Sequence, residues 1–180
     1  MVLPMTEYDN IVASLNDHLR SGQWSKETSD AFTVQASRIR DKDIGEGDMV
    51  LGMIHAMNKN ISGMRKRFNN ALAFGHNKDD VFANYGRALF FNGCFSEAIE
   101  KLLAVEGEDK SCYYVIALCC LALGLDSKAR QYYILSGEKA PFEHFCTQTK
   151  LPKSNIKKGF EAVRKSMKEN PDIWKSLSQR

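Results

Sequence analysis

One spacing of apolar and small residues recurs along this chain of 180 residues and constrains what it can fold into. From Asp79 it runs Phe82, Tyr85-Gly86, Leu89, Gly93, Phe95, Ala98 and Leu102. Starting 31 residues later, at Lys110, it reads Tyr113, Ile116-Ala117, Cys120, Gly124, Ala129 and Tyr133, and it closes at Pro141. A step back of 34 residues from the central copy gives a third, looser one: Asp48, Leu51-Gly52, His55, Ile61, Met64, Phe68 and Ala71. Apolar residues at intervals of three and four predict helices, and a glycine midway predicts a turn between the two helices of each copy. A unit this short cannot bury its own apolar face, so the copies must stack, which makes the expected architecture an all-α solenoid.

The pattern resembles the tetratricopeptide repeat family. Gly86, Gly93 and Ala98 fall together on three of its most restrictive positions, joined by Gly52, Gly124, Ala129 and Pro141 as structural repeat positions. The resemblance covers residues 45–141 as three repeats, 45–78, 79–109 and 110–141. It departs from the family pattern where Lys59 stands in place of the turn glycine and Met64 in place of the small alanine. The second repeat is also about three residues short, because Glu106-Gly107-Glu108-Asp109 leaves no room for a full link to the next helix.

The resemblance also implies a concave groove lined by the first helix of each repeat. Carried over position by position, that groove falls on Met49, Val50, Met53, Ala56 and Met57, then Ala83, Asn84, Arg87, Phe90 and Phe91. In the third repeat it takes Tyr114, Val115, Leu118, Leu121 and Ala122. Family members that clamp an acidic C-terminal tail use Lys and Asn in the first repeat, Asn in the second and Lys with Arg in the third. Only Asn84 is present here, so an amphipathic helix or extended apolar segment is the expected ligand, to which methionine side chains adapt. Such a groove can also be filled by the N-terminal helix or by a second copy of the chain.

The flanks read as helices too. Tyr8, Ile11, Val12, Leu15 and Leu19 predict a helix over Thr6–Arg20 with Thr6 as its cap, and a second helix is expected over Lys26–Ile39. Residues 1–44 thus form a helical pair, either a cap on the stack or a degenerate repeat, and the charged, glycine-containing stretch Asp41–Asp48 reads as a linker. After Pro141 a loop is expected through Phe142, Phe145 and Leu151. An amphipathic helix with the stripe Ile156, Phe160, Val163 and Met167 then follows, and Trp174 lies in a last short helix, so residues 142–180 form a C-terminal cap and basic tail.

Composition excludes several classes. With 43% hydrophobic and 26% charged residues the chain has the means to build a core. No apolar run approaches the roughly 18 residues of a membrane span, and Met1–Asn10 lacks the basic and apolar pattern of a secretory signal, so no membrane contact and a cytoplasmic location are expected. Five cysteines at 94, 112, 119, 120 and 146 do not form a disulfide framework and lack metal-ligand spacing; His144 with Cys146 is the nearest approach. Four histidines, His18, His55, His76 and His144, are scattered, and phosphate loops, nucleophile elbows and zinc-protease motifs are missing. No cofactor, no metal and no enzymatic activity are expected.

The primary expectation is therefore a non-enzymatic adaptor or scaffold. One alternative is a chaperone of the kind that serves bacterial type III secretion translocators, which three repeats between helical flanks resemble. Those chaperones are usually acidic, whereas this chain has a sequence pI near 8.5. The other is an accessory subunit of a nucleic-acid complex using Arg65-Lys66-Arg67 and the nine basic residues between Lys150 and Arg180. That C-terminal stretch carries only three acidic residues, but its two aromatic residues, Phe160 and Trp174, belong to apolar helical stripes and are not interleaved with the basic ones as a base-stacking platform needs.

Overall fold

A computed structural model describes residues 6–21 and 23–149. Among them are nine α-helices and no strand: α1 (Glu7–Ser21), α2 (Lys26–Lys42), α3 (Ile44–Met57), α4 (Ile61–Ala73), α5 (Lys78–Phe91), α6 (Phe95–Leu103), α7 (Lys110–Ala122), α8 (Asp126–Leu135) and α9 (Phe142–Gln148). The chain is all-α. None of these helices is long and apolar enough to cross a membrane. They fall into two compact units that divide between Ala88 and Leu89, near the end of α5.

Short polar side chains start the helices by accepting hydrogen bonds from otherwise orphaned backbone N–H groups. Thr6 Oγ1 accepts from the Asp9 N–H, Ser25 Oγ from Thr28, Asp43 Oδ1 from Glu46, Asn60 Oδ1 from Gly63, and Asp109 Oδ1 from Ser111 and Cys112. The α5–α6 turn ends in Gly93 at φ 75°, a left-handed conformation that glycine adopts without strain. At the equivalent place in the α3–α4 turn the side-chain-bearing Lys59 takes φ 58°, so this hairpin forms at a local cost.

In the first unit α3 is the central element, with α1, α2 and α4 all packed on it. Met49, Met53, Ile54, Met64 and Phe68 are buried, and Gly52 makes room for the Phe68 ring, which would lie 3.0 Å from a Cβ at that position. That ring stacks on Tyr85, centroid to centroid 4.7 Å. Gly47 brings α3 hard against α2: a Cβ there would overlap the Cα and Cβ of Arg40 and come within 2.6 Å of its backbone N. The adjacent Asp48, fully buried, accepts from Arg40 Nε at 3.0 Å and Arg67 Nη1 at 2.6 Å, tying α2, α3 and α4 together.

Asp41–Asp48 is accordingly not a linker. α2 runs on to Lys42, Asp43 turns the chain and caps α3, and both Gly45 and Gly47 are buried helical residues. These glycines permit close approach, which their sequence neighbourhood of charged residues disguises as flexibility.

In the second unit α7 packs against α6 and α8. Ala98, Ile116, Ala117 and Ala129 are fully buried, so small residues sit where the helices meet. Downstream of Pro141 the structure has α9 where a loop was expected. Phe145 on α9 is buried, its ring 4.5 Å from Tyr133 and 5.6 Å from Tyr114, and that burial stabilises a seven-residue helix by about 2 kcal/mol. Arg130 seals the edge: it pairs with Glu143 at 2.7 Å and lies 4.6 Å over the Phe142 ring. The expected amphipathic helix at 154–169 and Trp174 lie outside the described residues.

Candidate functional site

The residues carried over as groove-lining separate into two groups. On α3, Met49, Val50 and Met53 are at most 2% exposed, because α1, α2 and α4 surround that helix. A partner cannot reach them, which corrects the expectation that they form an open methionine-rich surface. Met57, at the end of α3, stays half-buried. On α5, Asn84 is buried and spends its amide within the helix, donating to Asp80 O at 3.0 Å and Asp80 Oδ1 at 2.8 Å, while Arg87 is half-buried.

In the second unit the picture differs. Phe91 is 44% exposed and Phe90 half-buried, 5.8 Å from Phe95 between ring centroids. On α7, Tyr114, Val115, Leu118 and Leu121 are all half-buried. Their spacing of one, four and seven residues from Tyr114 places them along one helical stripe, and that stripe is apolar.

A polar cluster in the first unit was not foreseen. Tyr8 Oη donates to Asp80 Oδ2, and His76 Nε2 lies 2.8 Å from the same oxygen and 3.0 Å from Tyr8 Oη. The phenol has one proton and gives it to Asp80, so Nε2 carries the proton it shares between its two neighbours. Burial, then the bond to Asp80, pushes the Tyr8 hydroxyl far above its ordinary pKa. Burial works against the Asp80 carboxylate, but the hydrogen bonds from His76 and Tyr8 and the charges of His76 and Arg87 outweigh it and hold its pKa below the usual value. A phenol that resists ionisation and a carboxylate that resists protonation are poorly placed to exchange protons near neutrality; the cluster is a clasp between α1 and the start of α5.

The remaining expected features also find places. His55 is half-buried, its Nδ1 accepting from Asn60 Nδ2 at 3.2 Å, and burial with the Arg67 charge lowers its pKa. Arg67, part of the basic triplet, is committed to Asp48, while Lys66 is exposed. All five cysteines are free thiols. No group of three or more His, Cys, Asp or Glu is arranged to hold a metal among the described residues.

Comparison with family models, curated proteins and solved structures finds no match to this chain.

Proposed function

We propose that this chain is a non-enzymatic binding module, its helical hairpins stacked in the manner of tetratricopeptide repeats, that holds an apolar or amphipathic segment of a partner protein against α7. The observation that carries this reading is the half-exposed stripe Tyr114, Leu118 and Leu121, with Phe91 exposed in the same unit. Apolar side chains in register along a helix, half in water, are what an amphipathic partner helix covers. The methionine face of α3 contributes no surface, so the ligand is shorter than one spanning three repeats.

The test is affinity capture from the native cytoplasm with the full chain and with a Phe91→Glu, Leu118→Glu double variant. Both positions retain solvent access, so the variant keeps its helix content by circular dichroism. A stoichiometric protein that the wild type retains and the variant loses supports the proposal. Equal retention by both refutes it, and a wild-type homodimer that the variant breaks means a second copy is the partner. The chaperone alternative uses the same surface and is separated by co-expression, since a chaperone keeps its hydrophobic client soluble.

A further inference from the structure

Two guanidinium groups answer the one buried carboxylate of Asp48, which leaves a positive charge in excess where α2 and α4 flank α3. Arg40 Nε and Arg67 Nη1 both approach the same atom, Oδ1, at 3.0 and 2.6 Å, so the two nitrogens lie within about 6 Å of each other. Nothing among the described residues donates to Oδ2. Neither arginine therefore makes the two-pronged pair that a carboxylate with both oxygens engaged allows. Asp48 is fully buried, whereas the Arg40 and Arg67 side chains are 41% and 29% exposed. The carboxylate is the floor, and the guanidinium groups lie between it and water.

Each guanidinium has five N–H donors in a planar fork, and Asp48 engages one nitrogen of each. Arg40, held by Nε, keeps the end-on pair Nη1 and Nη2; Arg67, held by Nη1, keeps the edge pair Nε and Nη2. Among the described residues neither has a further ion pair or side-chain hydrogen bond. The surrounding charge has the same sign. Between Asp48 and Asp79 the sequence has no acidic residue, while Lys59, Arg65, Lys66 and Arg67 are basic, and Lys66 is exposed beside Arg67 on α4. Of the carboxylates just before Asp48, Asp43 caps α3 and Glu46 lies by His76 and Asp9. Asp41, next to Arg40 on α2, points about 100° away around the helix.

From this geometry we infer that Arg40 and Arg67, set in place by Asp48, form a binding site for a phosphate group with three or more terminal oxygens: inorganic phosphate or a phosphomonoester. Two forks that meet from two helices need more than one pair of oxygens. A carboxylate and a phosphodiester each offer a single pair and satisfy one fork alone. Because Asp48 already orients both arginines, the ligand loses less affinity to ordering their side chains. Free phosphate and a phosphorylated side chain of a partner protein share this chemistry. The site lies in the first unit and is independent of the α7 stripe, so the Phe91→Glu, Leu118→Glu variant keeps it.

The experiment is a titration of the ¹⁵N-labelled full chain, at constant ionic strength and about pH 8, where phosphomonoesters are dianions. The probes are inorganic phosphate, N-acetyl-phosphoserine methylamide, dimethyl phosphate and acetate. Inorganic phosphate shifts the Nε–Hε signals of Arg40 and Arg67 together and saturates in the millimolar range, roughly tenfold below dimethyl phosphate and acetate in dissociation constant. The phosphoserine probe matching inorganic phosphate assigns a phosphorylated side chain as the ligand; a markedly weaker one assigns free phosphate. Arg40→Lys keeps a cation for Asp48 but loses the fork, and it weakens inorganic phosphate about tenfold. Dimethyl phosphate binding as well as the monoester makes the surface a nucleic-acid backbone contact and overturns the assignment. Equal binding of acetate, an unchanged affinity in Arg40→Lys, or no shifts at about 50 mM overturns it too. Should Arg40→Lys not fold, the ranking of the four probes on the wild type decides alone.

Discussion

Replacing Gly47 with alanine sets two effects of opposite sign against each other, and the structure says which wins. In an ordinary helix the change stabilises by about 1 kcal/mol, because alanine surrenders less backbone entropy. At Gly47, however, the new methyl overlaps Arg40 Cα and Cβ and comes within 2.6 Å of its backbone N, atoms that no rotamer change removes. α2 must back away from α3, an overpacking cost of about 1–3 kcal/mol. The same movement stretches the 3.0 Å bond from Arg40 Nε to the buried Asp48 beyond hydrogen-bonding range, which adds about 1–3 kcal/mol for a buried charge that loses a donor. The net is a destabilisation of about 3 kcal/mol. Urea unfolding followed by far-ultraviolet circular dichroism reads this as a midpoint lowered by roughly 1–2 M at the slope of a small domain. Gly63→Ala is the control: its Cβ would meet only side-chain atoms, Asn60 Nδ2 and His55 Nδ1 at 2.8 Å and His55 Cγ at 2.9 Å. Turning them aside costs the Asn60 cap of α4, about 1 kcal/mol, against a similar gain of alanine over glycine. That variant stays within about 1 kcal/mol of the wild type. A Gly47→Ala midpoint at or above the wild type, or a Gly63→Ala loss as large, refutes the claim that close backbone approach is the reason for Gly47.

Lys59→Gly relieves the left-handed strain at φ 58° and raises stability by about 1 kcal/mol in the same assay; no gain means the turn bears no strain. The Asp80 carboxylate, with its pKa held below the usual value, contributes stability that is present above its unfolded value near 3.9 and is lost as pH falls through the lower folded value. Asp80→Asn, measured by acid titration of stability, therefore has a shallower decline below about pH 4 than the wild type, and an identical decline counts against the clasp. Cys112, Cys119 and Cys120 are buried, with desolvation pushing the Cys119 thiol well up and the Cys120 thiol up to about 12. A disulfide reagent thus modifies Cys94 and Cys146 first in the native protein and all five only in denaturant; early modification of Cys119 or Cys120 contradicts the described packing.

Periodicity shows which side of a helix is apolar, but not what covers it. Ile11 and Leu15 were legible as a buried stripe and Gly93 as a turn, since local spacing and backbone strain decide both. The burial of Met49, Val50 and Met53 was not, because it depends on α1, α2 and α4 all packing on α3, the first of them across more than twenty residues of chain. The clasp of Tyr8 on His76 and Asp80 spans 68 and 72 residues, and each member taken alone is an ordinary surface residue. Asp48 was read as part of a charged linker because its partners, Arg40 and Arg67, lie on two other helices. A cleft beside Gly107, lined from α6, α7 and α8, is the intermediate case. That little chain is left between α6 and α7 was plain from the run Glu106-Gly107-Glu108-Asp109. α6 and α8, at nine and ten residues, both stop short of the thirteen of α7, and the cleft lies where the two end. Counting residues thus shows how little chain joins the two helices, whereas only the packing of α6, α7 and α8 shows where the space opens.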